Sequence, residues 1–340
     1  MNQMARMPTS PADIAEAFAA RCQKQPDLVG MWYTARLRQG IDDRMWFGLY
    51  REGQADPAWT GLSHRFGDGI GALTHLLRCQ GFAAPPLPRG RAEAVPDWRT
   101  LWQTRRPVAA PAAHIEWRQL DVAARRSTPH APVSLLLDPE QTAAIEATAA
   151  MAGVSSTQWL LWTADRATRS TLASRDSVLD WVFPVNLRGT VAQADPLMNH
   201  CSGFPVHLAA DTAPATLKAQ VAARFARHEH WRNWWLLTLG RHVGQAGINL
   251  LYRLSAAAPG SHAGSYSNLG DWDVPGLDGL ACMAPGSPAY PVAVSTMRCN
   301  GRRTLGCRLH PVIGGSSGRA IELLTLWREL ATSPDALSGW

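Results

Sequence analysis

The stretch Ser63-His64-Arg65-Phe66-Gly67-Asp68-Gly69 ends one alternating apolar run and precedes a helical one. It reads H-x-x-x-D-G, so a base, a carboxylate and a glycine share one short turn. Upstream, Trp59 to His64 alternates as a strand that runs directly into this turn. Downstream, Ile70, Leu73 and Leu77 recur on one helical face. The pattern strand, charged turn, helix anchors the reading of everything around it.

Further upstream, Ser10-Pro11-Ala12-Asp13 carries a helix start, with a serine cap, proline at the first position and an acid in the first turn. Ile14, Phe18 and Cys22 then mark a buried face. Met31, Tyr33, Ala35 and Leu37 alternate with Arg36 and Arg38, which predicts a strand over 31–38. After a turn at Gln39 to Asp43, Met45, Phe47 and Leu49 alternate again, and the two runs are expected to pair antiparallel.

Residues 81–113 are rich in Pro, Ala and Arg and read as a long solvated linker, with one helical turn around Trp98 to Trp102. A second block starts near Pro132 with a strand at Val133 to Leu137. Ile145, Ala149 and Ala152 mark a helix ending at Gly153, and Ser155 or Ser156 caps another through Trp159, Leu160, Thr163 and Ala167. Val178 to Val185 reads as a strand, and Leu217, Val221 and Phe225 as a helix. Val292 to Met297 and Thr304 to Leu309 flank Asn300-Gly301, a hairpin signal. Ile321, Leu324 and Trp327 mark the closing helix. Strands and helices intermix without regular alternation, which predicts an α+β fold rather than a doubly wound sheet. The expected division is 1–126 and 127–340.

The chain has 340 residues and a net charge of +6, carried almost wholly by arginine, since Lys24 and Lys218 are its only lysines. Arginine forks suit phosphate contacts. The basic residues are scattered, and no helix-turn-helix, RNP or zinc pattern accompanies them, which argues against nucleic acid as partner. The six cysteines form no C-x-x-C pair, so a reduced, cytoplasmic protein without a metal site is expected. No window approaches the ~18 continuous apolar residues of a membrane span, and residues 1–12 have no apolar core of a secretory signal.

The chain resembles the CoA-dependent acyltransferase superfamily of chloramphenicol acetyltransferase, condensation domains and wax-ester synthases. Four landmarks carry the resemblance, in order: His64 to Gly69; the segment Leu137 to Leu172 with Ala152-Gly153-Val154-Ser155 between its helices; Phe183-Pro184-Val185-Asn186-Leu187-Arg188 followed by Asn199; and Ser267-Asn268-Leu269-Gly270. The Asp68-Gly69 register aligns His64 with the catalytic histidine of that family. Ser63 stands where many relatives have another histidine, and the usual first strand before the initial helix is missing from the expected elements.

The resemblance implies two subdomains with mixed sheets and a channel between them. It implies a stand-alone enzyme that moves an acyl group from CoA or a phosphopantetheinyl carrier protein to a hydroxyl or amine, in secondary metabolism or surface-lipid modification. No cofactor is held; the thioester is a co-substrate. His64 is then the general base, for which an imidazole titrating near neutrality is suited. Asp68 is structural, with Arg188 as its candidate partner, unless it only caps the following helix. Gly69 permits a tight turn and offers a backbone N–H to the oxyanion. Asn186, Ser267 and Asn268 line the substrate channel or, for the last two, donate to the oxyanion; Ser267 to Gly270 also reads as a plain turn. The rival reading is a non-catalytic docking module of a biosynthetic assembly line.

Other motifs point elsewhere. His228-Glu229-His230 splays its rings on a helix, whereas helical metal pairs are spaced i, i+4. Gly314 to Arg319 lacks the lysine of a phosphate loop and reads as a strand-to-helix connection. Trp231, Trp234 and Trp235 are spaced for a core, or for an acyl chain or membrane interface.

Overall fold

The computed structural model describes residues 10–22, 27–103, 114–255 and 257–337. Helix α1 (Pro11–Cys22) starts where its cap places it: Ser10 Oγ accepts the Asp13 N–H at 3.2 Å, and Ile14 and Phe18 are buried. The expected absence of a first strand before α1 concerns residues 1–9, which lie outside the described residues.

The predicted strand over 31–38 is instead helix α2 (Leu28–Arg38). Asp27 caps it, accepting the Gly30 N–H at 2.9 Å, and Thr34 Oγ1 donates to the Gly30 carbonyl one turn back. Gly30 fixes its position, because a Cβ there would lie 2.1 Å from the Arg65 carbonyl oxygen. Period-two alternation over eight residues was outweighed by a cap and a close approach that only tertiary structure reveals.

Strands β1 (Arg44–Arg51) and β2 (Ala58–Ser63) pair antiparallel, Met45 opposite Leu62, so β1 takes β2 rather than 31–38 as neighbour. Helix α3 (Gly69–Cys79) follows the turn and buries Ile70, Leu73 and Leu77 as expected. The linker holds α4 (Trp98–Gln103), and its residues 104–113 lie outside the described residues. Part of it is not a solvated spacer: Phe82, Ala84 and Leu87 pack on the core beneath α3, and Gly90 N–H donates to the Arg188 carbonyl at 2.8 Å.

Next come β3 (Val133–Leu136), α5 (Pro139–Met151) and α6 (Ser156–Thr171). Both helices begin with capping boxes, Asp138 with Gln141 and Ser155 with Gln158, which settles Ser155 as the cap. Strands β4 (Leu179–Asn186) and β5 (Cys201–Leu208) form an antiparallel pair with Phe183 opposite Phe204. Helices α7 (Pro214–Ala226), α8 (Glu229–Leu237) and α9 (Gly240–Leu254) precede β6 (Gly264–Trp272), β7 (Leu277–Met283), β8 (Val292–Cys299), β9 (Arg302–Leu309) and α10 (Ser317–Thr332). In α10, Leu324 and Trp327 are buried while Ile321 faces outward, half exposed.

The strands form two sheets, ordered β2-β1-β7 and β3-β9-β8-β6-β4-β5. The larger is mixed: β6 runs parallel to both β4 and β8, while its other pairs are antiparallel. This is the α+β arrangement read from the sequence. The small sheet takes β7 from late in the chain, and β7 also lies against β8 and β9, where Thr304 Oγ1 donates to the Leu280 carbonyl at 2.6 Å. The core of the larger sheet contains Trp159, Trp181, Trp231 and Trp327, each buried; Trp159 Nε1–H finds the Ala331 carbonyl and Trp327 Nε1–H the Leu160 carbonyl. A second core, around Phe18, Phe47, Leu73 and Leu76, lies between the small sheet, α1 and α3.

Helix α3 approaches the 195–198 loop so closely that a Cβ at Gly71 would lie 2.0 Å from the Leu197 carbonyl oxygen, whereas one at Gly69 would meet only the Leu269 side chain, at 3.1 Å. Gly71→Ala is therefore expected to cost about 1–3 kcal/mol or more in urea denaturation, and Gly69→Ala distinctly less. Equal losses would show that the Leu197 approach is not what fixes α3.

Candidate functional site

The turn between β2 and α3 delivers His64 and Asp68 to one wall of a cavity of about 120 Å³. Its lining includes His64, Asp68, Gly69, Asn186, Arg188, Ser267 and Asn268, so the residues singled out in the sequence converge on one place, from both sides of residue 126. Apolar and sulfur-bearing side chains fill the remaining wall, among them Met45, Phe47, Ile70, Leu269, Cys282 and Met283.

Asp68 is nearly inaccessible and its carboxylate is fully used. Arg188 grips it through both arms, Nη1 to Oδ2 at 2.8 Å and Nη2 to Oδ1 at 2.6 Å. The Gly71 N–H donates to Oδ1 at 3.0 Å and the His200 N–H to Oδ2 at 2.8 Å. Asp68 is thus both the cap of α3 and the partner of Arg188, the two roles that the sequence posed as alternatives. Burial by itself would raise its pKa, but the Arg188 guanidinium and these donors outweigh it and hold the carboxyl below its ordinary value. Arg188 is fixed in turn: its Nη2 and Nε donate to the Met198 and Pro196 carbonyls, each at 3.3 Å, and its N–H to Asn186 Oδ1 at 3.0 Å.

His64 is held through its backbone and its ring face. Its N–H donates to the Asp43 carbonyl at 3.0 Å, and its carbonyl accepts Asn199 Nδ2 at 3.0 Å. Asp43 also accepts the Ser63 hydroxyl at 2.5 Å and the Arg65 N–H at 3.3 Å, which gives Ser63 a structural place. The Tyr33 ring stacks on the imidazole, centroids 3.9 Å apart. His64 Nδ1 is buried without a hydrogen-bond partner among the described residues. Burial, opposed by the Asp68 and Asp43 charges, pushes the imidazole below its ordinary pKa, so His64 is neutral near pH 7.

Asn199 links this turn to α2. Its amide donates to Asp27 Oδ2 at 2.6 Å as well as to the His64 carbonyl, and its N–H reaches the same Asp27 oxygen at 3.1 Å. Burial raises the Asp27 carboxyl above its ordinary value despite these donors. Asp27, Tyr33 and Asp43 were not singled out as site residues, and Asn199 was named only as a landmark. Asp43 had one visible signal, its place in the turn before β1; Tyr33 reaches the ring only because α2 folds against it, and Asp27 acts at one remove, through Asn199.

The remaining residues differ in what they can offer. The Ser267 hydroxyl has no hydrogen-bond partner among the described residues. Asn268 is already engaged, Nδ2 to Thr157 Oγ1 at 2.9 Å and Oδ1 to the Gly270 N–H at 2.9 Å. Its segment is not a plain turn but the irregular part of strand β6, where the register shifts and Gly270 takes φ +79°. Asn186 Nδ2 donates to the Pro88 carbonyl at 3.0 Å, tying the site to the linker. Gly69 does not adopt a left-handed backbone, contrary to the tight-turn expectation; it is the first residue of α3. His230 pairs with Glu93 at 2.9 Å and Glu229 with Arg224 at 2.5 Å, away from this cavity.

The structure is similar to the condensation domain from Monacolin K polyketide synthase MokA, with a TM-score of 0.50 and 9% identity over 90% of this chain and 96% of that one. It also aligns with the epimerization domain from the third module of tyrocidine synthetase B (TM-score 0.44, 12% identity, 83% of this chain and 70% of that one). A third alignment is with polyketide synthase associated protein 5 from Mycobacterium tuberculosis (TM-score 0.44, 14% identity, 83% and 75%). No family model and no curated protein matches the sequence. The first likeness establishes the fold: this is a condensation-domain-like α+β architecture.

Removing one partner of a buried, hydrogen-bonded charge pair strands the other. Arg188→Met should therefore lower stability by about 3–5 kcal/mol in chemical denaturation. Because the folded Asp68 carboxyl lies below its ordinary value, its contribution is complete above the unfolded carboxylate pKa and is lost as pH falls through the folded one. Acid unfolding monitored by circular dichroism should accordingly begin at higher pH in Asp68→Asn than in wild type. Unchanged melting in both variants would show that the pair does not hold the turn.

Proposed function

We propose that the protein is an acyltransferase of the condensation type, in which His64 accepts the proton of a hydroxyl or amine as it attacks a thioester. The observation that carries this reading is the imidazole itself: buried, neutral, on a cavity wall, and held by Asp43, Asn199 and Tyr33 while Asp68 is turned away to Arg188. A carboxylate locked to a guanidinium is a poor base; the neutral imidazole is the group left to act.

The steps balance without a protein nucleophile. His64 takes the acceptor proton as the new C–O or C–N bond forms. The tetrahedral oxyanion is met by the free Ser267 hydroxyl and by the Gly69 N–H, which as the first of α3 has no intrahelical acceptor. Collapse breaks the C–S bond, and the imidazolium returns its proton to the departing thiolate. A positioned base of this kind contributes typically ~10²–10⁴-fold. The donor in this proposal is an acyl-CoA or an acylated carrier protein, whose acidic surface would suit the net positive charge of +6. The apolar lining, including Met45, Phe47 and Met283, suits the acyl chain. No helix among the described residues is long and apolar enough to cross a membrane.

The test is thiol release from a panel of acyl-CoAs and acyl carrier proteins with hydroxyl and amine acceptors. Wild type should turn over and His64→Ala should lose about 10²–10⁴-fold. The acid limb of kcat/KM should lie below the ordinary imidazole value near ~6.5, since burial favours the neutral base. Activity that survives His64→Ala would overturn the mechanism. A folded protein inert with every donor, yet retained by a carrier protein, would instead identify a docking module.

A further inference from the structure

Helix α9 turns its apolar side away from the protein. The side that packs on α2 is mixed: Gln245 Nε2 donates to the Met31 carbonyl at 2.9 Å, Ile248 is buried, and Asn249 and Tyr252 are half-buried. The side that faces solvent carries Ala246, Leu250 and Leu254 at four-residue spacing, with Leu251 beside them. Leu250 is 55% and Leu254 77% exposed. A surface helix ordinarily buries its apolar stripe, so this inversion leaves a face without a partner among the described residues.

The exposed apolar run continues through the preceding segment. Trp235 and Leu236, at the end of α8, are 42% and 53% exposed, and Val243 lies between them and the α9 stripe. Gly244, at φ +61°, breaks the helix between Val243 and Ala246. Charge in this stretch has one sign. From residue 230 to 255 there is no Asp or Glu, while Arg232, Arg241 and Arg253 are present, the last two exposed. Arg232 lies 4.0 Å from Glu229, but Arg241 and Arg253 have no carboxylate in their own stretch. Leucines on one face of α9, with these exposed arginines on the same element, match an element that lies in the headgroup layer of a membrane.

We propose that α9 with the end of α8 adsorbs to an anionic lipid surface, its leucines in the acyl boundary and its arginines on the phosphates. The charge pattern decides between occupants. A second copy of this face would set arginine against arginine, whereas an anionic headgroup layer complements it.

Vesicle co-sedimentation tests this with the whole chain. Wild type should sediment with vesicles of phosphatidylcholine containing about one-third phosphatidylglycerol, and about tenfold less with phosphatidylcholine alone or at high salt. Leu250→Asp/Leu254→Asp should lose about tenfold in binding with unchanged circular dichroism, and Arg241→Glu/Arg253→Glu should abolish the preference for anionic vesicles. Ile321→Asp, at an exposed apolar residue on α10, should bind as wild type. Failure of wild type to bind anionic vesicles at low salt, or binding indifferent to the leucine pair, would overturn the proposal. So would a wild-type dimer in analytical ultracentrifugation that Leu254→Asp dissociates, because the face would then belong to a second copy.

Discussion

A carboxylate buried in this fold is tolerable only because Arg188 meets it with both arms. Asp68 opens α3, Arg188 follows β4, and His200 opens the approach to β5, so one ionised group joins three segments that the chain makes separately. The turn bearing His64 hangs between β2 and this junction. Its position is set by bonds that the imidazole itself does not make, which leaves the ring available.

The turn was legible in sequence because its grammar is local: a strand alternation, a charged corner, a helical repeat. The Asn300-Gly301 hairpin and the Ser155 cap were legible for the same reason. Asp68 was harder, since capping and ion pairing looked like competing fates. They coexist because a carboxylate has two oxygens and several acceptor positions, and the fold uses both oxygens. The 31–38 segment failed because its period-two alternation points to a strand, and tertiary structure overrode it. What decided it was Asp27 ahead of it and the Arg65 carbonyl beside Gly30, a contact no local pattern encodes. Asn268 had the right place and the wrong availability: it reaches the cavity, but its amide is already committed to Thr157.

The polar groups around His64 act through geometry and the apolar ones through solvation. Asp43 and Asn199 hold the backbone of the turn on both sides of the residue. Tyr33 and the cavity wall exclude water from the ring, and exclusion keeps the imidazole unprotonated. Separate residues therefore set where the base stands and which protonation state it holds.

The small sheet has a consequence in time. Strands β1 and β2 are neighbours in sequence and can pair as soon as both are made, but the far side of β1 belongs to β7, which arrives near the end of the chain. During synthesis that edge stays open, bordered by Phe47 and Leu49, until most of the large sheet exists to bring β7 alongside. Such long-range pairing is slow and leaves unpaired strand edge exposed while it waits. The open side of β1 is thus made long before the strand that covers it, and nascent chains of this protein should depend on protection of that edge more than their stable fold would suggest.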